Sequence, residues 1–164
     1  MGTSIVGTAA AAAGRAARLL ARDPADAVLS ARMAVWVVLV SCLARVLPLP
    51  RAHALVARRV RAARSSSPDT PARLARAMDR VLRLDVLSFK RSCWRRALVL
   101  HRFLALHGID SRVTFGVRQV DGQLRGHAWL ERDGRPFLED DAGPYVVTFS
   151  LPRPAASGEP CSRG

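Results

Sequence analysis

One cysteine and one histidine in this chain of 164 residues have the surroundings that thiol chemistry requires. Cys93 opens an apolar run with helical spacing, and His127 follows it in the alternating segment Gly-His-Ala-Trp-Leu-Glu. A cysteine nucleophile needs a base that takes its proton and a third group that holds this base in one tautomer. We therefore interpret Cys93 as a nucleophile and His127 as its general base and acid.

The residues after Cys93 predict a helix that carries the thiol in its first turn. Ala97, Leu100 and Leu104 recur at helical spacing, so they share a face with Cys93. Gly108 is a natural stop for this helix. The first turn of a helix has unpaired N–H groups and the positive end of the helix dipole, which stabilise a thiolate. The same N–H groups, that of Cys93 included, can face a developing oxyanion.

Beyond Gly108 the apolar period changes from helical to alternating, which predicts strands. Val113, Phe115 and Val117 indicate the first strand, and a turn at Asp121-Gly122 leads to a second strand at about residues 126–131. Asp133-Gly134 is a strong hairpin signal. It leads to a third strand at about 135–139, and a short fourth is predicted at about 145–149. Helices followed by an antiparallel meander give an α+β fold class.

The third member of the site is an acidic residue, and the sequence offers three in a row. If Asp133-Gly134 forms a two-residue turn, Asp140 lies opposite His127 on the same face of the sheet. A loop that differs in length by one residue places Glu139 there instead, and Asp141 is a weaker third choice. We predict Asp140 as the orienting acid, with Glu139 as the runner-up.

The sequence before Cys93 predicts a series of helices. They are predicted at about 1–24, at 27–46 with Asp26 as a cap, at 51–63, and from Asp69 or Thr70 to Arg83. The uncharged apolar stretch 33–44 is shorter than the roughly 20 residues that span a bilayer. It predicts a buried core helix, with an interfacial membrane helix or a hydrophobic dock for a partner as alternatives. We divide the chain into a helical N-terminal region (1–84) within the same domain, a catalytic core (85–151) and a disordered tail (152–164).

The composition limits the classes of binding partner and the cellular compartment that we expect. The net charge is +13, and a basic balance fits nucleic acid, an anionic membrane or an acidic partner. The arginines are scattered through helical stretches and do not form one block, which favours a sequence-wide use of Ala and Arg on helix surfaces. The predicted sheet also lacks exposed aromatic side chains that could stack on bases. No nucleic-acid partner is therefore expected. Three cysteines without a close pair favour a reducing compartment, hence the cytoplasm. His53, His101 and His107 have no paired ligands nearby, so neither a metal nor a cofactor is expected.

Several short motifs between about residues 90 and 141 form a set. They are SCWRRAL (92–98), HGI (107–109), FGV (115–117), GHAWLE (126–131) and DG (133–134). Together they resemble the transglutaminase-like cysteine peptidases of bacterial lasso-peptide biosynthesis, the leader peptidases that mature the precursor. HAW alone is shared across the wider transglutaminase-like superfamily. The small size and the FGV strand narrow the resemblance to the leader peptidases. The preceding basic and apolar helices, including Leu47-Pro48, resemble the N-terminal part of the stand-alone form.

The resemblance implies a transglutaminase-like (papain-like) core and a proteolytic function. In this reading Cys93 attacks a peptide carbonyl, His127 shuttles the proton, and an acidic residue orients His127. Cleavage frees the amine of the core peptide for ring closure by a separate, ATP-dependent cyclase, and the acyl-enzyme is then hydrolysed. A small companion protein binds the leader peptide in such systems, and we expect it to act in trans here.

The resemblance also suggests a use for the basic and apolar N-terminal helices. We expect them to dock the complex of leader and partner protein, with the arginines meeting acidic residues there, and peripheral membrane contact is a further option. Two other readings of the chain stay open. A lone cysteine in a helix is commonly a small buried apolar residue, which leaves a non-catalytic peptide-binding module. An acyl-transferring enzyme would use the same thioester.

Overall fold

The computed structural model describes residues 24–57, 67–83, 93–139 and 143–152. These residues form helices that precede a four-stranded antiparallel sheet. The helices are α1 (Pro24–Val46), α2 (Leu49–Ala57), α3 (Thr70–Arg83) and α4 (Cys93–Leu106). The strands are β1 (Arg112–Val120), β2 (Gln123–Arg132), β3 (Arg135–Phe137) and β4 (Val146–Leu151). The predicted α+β fold class is confirmed.

Helix α4 is the element around which the others pack. Its central residues, 97–101 together with 103 and 104, are all buried. It contacts α1, α2 and α3 as well as β1 and β2. The apolar cluster joins it to both layers of the fold. The buried members from outside α4 include Met33, Val37 and Val40 of α1, Leu74, Ala77 and Met78 of α3, and Val113, Leu130 and Leu151 of the sheet.

The predicted C-terminal end of α4 is confirmed, because a local signal sets it. The described part of the helix begins at Cys93, and residues 84–92 lie outside the described ranges. At its C-terminus Gly108 has a φ of 71°, which glycine adopts at no steric cost. The N–H of Ile109 donates to the carbonyl of Leu104 at 3.0 Å and that of Gly108 donates to Ala105 at 3.1 Å. This is the pair of hydrogen bonds of a Schellman motif.

The sheet has the predicted hairpins and one early strand end. Asp121-Gly122 and Asp133-Gly134 have φ values of 51°, 75°, 52° and 73°, as two-residue type I′ turns require. The second turn pairs Leu130 with Phe137, the register predicted for it. The third strand ends at Phe137 rather than at residue 139, because Leu138 takes a left-handed φ of 61°. β4 pairs with the other side of β1, so the strand order is β3-β2-β1-β4.

Helix α1 differs from its prediction in length, and Asp26 differs in role. The helix starts at Pro24, where a missing N–H costs nothing. Asp26 therefore lies within the first turn instead of capping it, and its two carboxylate oxygens accept hydrogen bonds from Arg73 and Arg80 of α3 at 2.6 Å each. These ion pairs fix the start of α1 against α3.

The length of α1 exceeds that of the apolar stretch 33–44, which by itself is shorter than a bilayer span. It has 23 residues, and an 18-residue window has a mean hydropathy of 2.1 with 22% of the window buried. By length and composition this helix passes the test for a membrane span, a test that core helices of soluble proteins also pass. Its buried side consists of Met33, Val37, Val40 and Ser41, so the predicted core helix is buried along one side only.

Two other predicted helices lie partly or wholly outside the described residues. α2 starts at Leu49 rather than at Arg51, with Pro50 in its first turn. A proline is tolerated in that turn because its N–H would have no helical partner. The predicted end of α2 at residue 63, the helix at 1–24 and the tail from residue 153 fall outside the described ranges. The predicted helix from Asp69 or Thr70 to Arg83 is confirmed as α3.

The ion pairs of Asp26 make a testable contribution to stability. Hydrogen bonds from Arg80 and Arg73 hold the pKa of Asp26 below its ordinary value of 3.8. The stabilisation is therefore complete at neutral pH and is lost as the pH falls through that lowered pKa. We expect Asp26→Asn to lower the free energy of unfolding by about 1 kcal/mol near pH 7, measured by urea denaturation. The difference from the unsubstituted protein should vanish in acid.

A matched control is Asp121→Asn, because Asp121 is exposed and Asn adopts its left-handed turn conformation equally well. A loss of stability from Asp26→Asn that is the same at acidic and neutral pH would contradict the ionic origin of the effect.

Candidate active site

The predicted nucleophile and base lie in the walls of one cleft. The cleft has a volume of about 430 Å³. Cys93 comes from the first turn of α4, His127 from the middle of β2, and Glu139 from the segment after β3. The remaining lining residues are Arg96 of α4 and Asp79, Leu82 and Arg83 of α3. Folding the hairpin over the tip of α4 thus brings Cys93 and His127 together, as their order along the chain predicts.

A carboxylate fixes the tautomer of His127. Its Nε2 lies 3.0 Å from Oε2 of Glu139, and the two side chains are only 23% and 15% exposed. A carboxylate can only accept a hydrogen bond, so Nε2–H is the donor. In the neutral ring the other nitrogen, Nδ1, then carries no proton. The imidazole is therefore held in the tautomer that leaves Nδ1 to accept a proton in the cleft that Cys93 lines.

The acid that contacts His127 is the runner-up of the sequence prediction. The pairing that favoured Asp140 holds as far as Leu130 and Phe137. The left-handed turn at Leu138 then ends the strand. The strand pairing that was expected to place Asp140 opposite His127 therefore stops before residue 140. Residues 140 and 141 lie outside the described residues. Within the described part of the chain, Glu139 is the carboxylate on His127.

Arg96 is a member of the site that sequence reasoning missed. Its Nη1 donates to Oε1 of Glu139 at 3.0 Å, its Nη2 to the carbonyl of Leu138 at 3.1 Å, and its Nε to Oδ1 of Asp79 at 3.0 Å. The planar guanidinium thus binds α3 and the segment after β3 at the same time. The two oxygens of Glu139 are divided between Arg96 and His127. The available signal was that Arg96 stands one helical turn after Cys93.

An aromatic wall supports the histidine ring. The ring of His127 lies 5.9 Å from that of Trp129 and 5.3 Å from that of Tyr145. Trp129 is 3% exposed, and its Nε1 donates to Glu131 at 3.0 Å. A Cβ at Gly116 would come within 2.8 Å of the Trp129 ring. The glycine of the FGV motif therefore makes room for the tryptophan of the HAW motif, and that tryptophan limits how far His127 can rotate.

A comparison with protein families identifies the superfamily of the chain. Residues 34–150 match the family model described as "Transglutaminase-like superfamily", which is well over half of the chain. The chain belongs to the transglutaminase-like superfamily. The match begins within α1 and ends within β4, so it crosses the predicted boundary at residue 84. Neither the curated proteins nor the solved structures gave a match.

The other candidate residues of this transglutaminase-like chain lie elsewhere. Cys42 is exposed on α1, and Cys161 falls outside the described residues. His53 and His101 stack at 5.1 Å. Burial and the neighbouring His53 lower the pKa of His101 to about 4, and its Nδ1 lies 3.0 Å from Oγ of Ser111. Among the described residues no group of His, Cys, Asp and Glu has the arrangement of a metal site.

The two described cysteines allow an internal test of the site. Cys42 is exposed and Cys93 is half-buried, so accessibility alone predicts that iodoacetamide modifies Cys42 first. If His127 takes the proton of Cys93, we expect Cys93 to react about tenfold faster than Cys42 at near-neutral pH, because the thiolate is the reactive form. Mass spectrometry of peptides after timed alkylation measures both rates in one sample.

His127→Ala should remove the advantage of Cys93 and leave the rate of Cys42 unchanged. If Cys93 reacts no faster than Cys42 in the unsubstituted protein, Cys93 and His127 are structural residues.

Proposed function

We propose that this protein is a cysteine peptidase that removes the leader peptide from a ribosomally made lasso-peptide precursor. The observation that supports the peptidase part is the hydrogen bond between Nε2 of His127 and Glu139 in a cleft that Cys93 also lines. We assign Nδ1 of His127 as the base. The set of motifs around Cys93 and His127 supports the narrower substrate class. The superfamily includes cysteine peptidases, and this chain retains the residue types that such chemistry needs.

The proposed reaction uses the site in two steps. Nδ1 of His127 takes the thiol proton of Cys93, and the sulfur attacks the carbonyl carbon of the scissile peptide bond. The bond to nitrogen breaks, the imidazolium gives its proton to the leaving amine, and a thioester remains on Cys93. His127 then takes a proton from water as the oxygen attacks the thioester carbon. The carbon–sulfur bond breaks, the leader leaves as a carboxylic acid, and the imidazolium returns its proton to the sulfur of Cys93. Glu139 stabilises the imidazolium in both steps.

The start of α4 supplies the donors for the tetrahedral intermediates. Cys93 opens the described part of α4, and the N–H groups of a first helical turn have no acceptor within the helix. Preorganised N–H donors at such a position stabilise a developing oxyanion. Helix α4 therefore contributes the sulfur and an oxyanion donor from the same residue.

We further propose that α1 docks the small partner protein that binds the leader. Four of its apolar residues lie on one side of the helix and are between 43% and 76% exposed: Val28, Val35, Leu39 and Val46. Arg32 and Arg45 are exposed on the same helix. An apolar stripe with cationic residues fits a partner surface that has an apolar centre and acidic residues around it. The ATP-dependent cyclase would act on the freed peptide, and the proposed compartment is the cytoplasm.

The proposed activity has a direct test on a candidate precursor from the gene neighbourhood. With the partner present, the unsubstituted protein should release the leader, and Cys93→Ala should release none, as measured by mass spectrometry. We expect Glu139→Gln to slow release by about 10²- to 10⁴-fold, because the amide no longer stabilises the imidazolium. Asp140→Asn serves as the matched control and should have a small effect.

Three outcomes would redirect the proposal. Full activity of Cys93→Ala would end the peptidase mechanism. Severe loss from Asp140→Asn with little loss from Glu139→Gln would reassign the orienting acid. Formation of an amide with an added amine in place of the free acid would favour an acyl transferase.

The docking surface has a separate test. Charge reversal by Arg32→Glu and Arg45→Glu should weaken partner-dependent cleavage, with KM for the partner–precursor complex rising about tenfold because encounter and binding depend on complementary charge. Arg135→Glu is the control, since Arg135 is an exposed arginine on the distant β3 hairpin. Unchanged partner-dependent cleavage by the α1 variants would remove the docking surface from the proposal.

A further inference from the structure

A second groove continues the cleft of Cys93 along α3. It has a volume of about 360 Å³, and its lining consists of Asp26, Arg76, Asp79, Arg80 and Arg83. Asp79 and Arg83 line both spaces. The two spaces therefore adjoin at Asp79 and Arg83, beside the first turn of α4 that carries Cys93.

The arginines of this groove belong to a row on one side of α3, which begins with Arg73 outside the groove lining. Arg73, Arg76, Arg80 and Arg83 recur at steps of three and four residues, which places them on one helix face. Asp26 accepts hydrogen bonds from Arg73 and Arg80. The carboxylate of Asp79 accepts one from Arg96. Both aspartates of the groove thus accept hydrogen bonds from arginines other than Arg76 and Arg83.

Arg76 and Arg83 remain as available cations of the row. Both side chains are exposed, and neither forms an ion pair with another residue in the described ranges. Arg83 lies at the junction of the two spaces, and Arg76 lies further from the thiol. The guanidinium group presents a planar fork of donors that matches a carboxylate.

We propose that this groove is a specificity subsite for acidic side chains of the peptide substrate, with Arg83 and Arg76 as the groups that bind them. The inference rests on the proposed peptidase function. Arg76 and Arg83 are about 10 Å apart along the helix axis. An extended peptide rises about 3.3 Å per residue, so the two acidic positions are about three residues apart on the same side of the scissile bond. The position nearer the bond contacts Arg83.

Thiol-reactive peptides of defined sequence test the subsite. The probes are peptidyl chloromethyl ketones that are identical except for one Glu or one Gln, which is moved along the peptide. We expect the unsubstituted protein to react about five- to tenfold faster with the Glu probe at two positions about three residues apart, as a charge-assisted hydrogen bond predicts. The advantage should shrink as salt is added, because both arginines are exposed.

The variants assign each position to one arginine. Arg83→Gln should abolish the Glu preference nearer the reactive carbon and Arg76→Gln the preference further away, whereas Arg83→Lys should retain part of it. Arg51→Gln is the matched control, since Arg51 is exposed on α2 away from both spaces, and it should keep both preferences. Circular dichroism checks that each variant is folded.

The outcomes separate this inference from the function on which it rests. Equal rates for Glu and Gln probes at every position would overturn the subsite and leave the peptidase function intact. A Glu preference that survives in the Arg76→Gln, Arg83→Gln double variant would also overturn it. Failure of Cys93 to react with any of the ketones would remove the proposed function, and the subsite with it.

Discussion

The carboxylate of Glu139 is the point on which the site depends. One oxygen holds His127 at 3.0 Å and the other holds Arg96 at the same distance. With 15% of its side chain exposed, this charge would be costly to bury without a partner. Arg96 supplies the partner and is itself held by Asp79 of α3. The orientation of the histidine and the packing of α3, α4 and the hairpin therefore rest on one connected set of hydrogen bonds.

This arrangement gives the N-terminal helices a place in the site. Asp79, Leu82 and Arg83 of α3 form a wall of the cleft, and the family match begins at residue 34, well before the cysteine. The division of the chain at residue 84 stays a prediction, yet the helices before it do more than cover the core. A substitution on α3 can act on the chemistry by releasing Arg96, and with it Glu139, without touching Cys93 or His127.

Local signals explain what the sequence predicted well. Gly108 ends α4 and the two Asp-Gly turns set the hairpins, because each needs only the conformational preferences of one or two residues. The limits of prediction were tertiary. Leu138 adopts a left-handed conformation that leucine rarely takes, so the sequence does not predict it. In the structure with this turn, Glu139 is the residue that contacts His127. The role of Arg96 depends on the packing of α3 against α4, and the spacing of motifs along the chain does not predict that packing. The predicted start of α1 was three residues late because Asp26 was interpreted as a cap, whereas it lies in the first turn.

The central claim is that sulfur, imidazole and carboxylate act as one unit in the order Cys93, His127, Glu139. A crystal structure of the protein with a peptide aldehyde bound to Cys93 measures this most directly. We predict that Nδ1 of His127 lies within about 3.5 Å of the sulfur and that Glu139 remains on Nε2. A thiohemiacetal on Cys93 with His127 turned away from the sulfur, or with Asp140 in place of Glu139 on Nε2, would contradict the account.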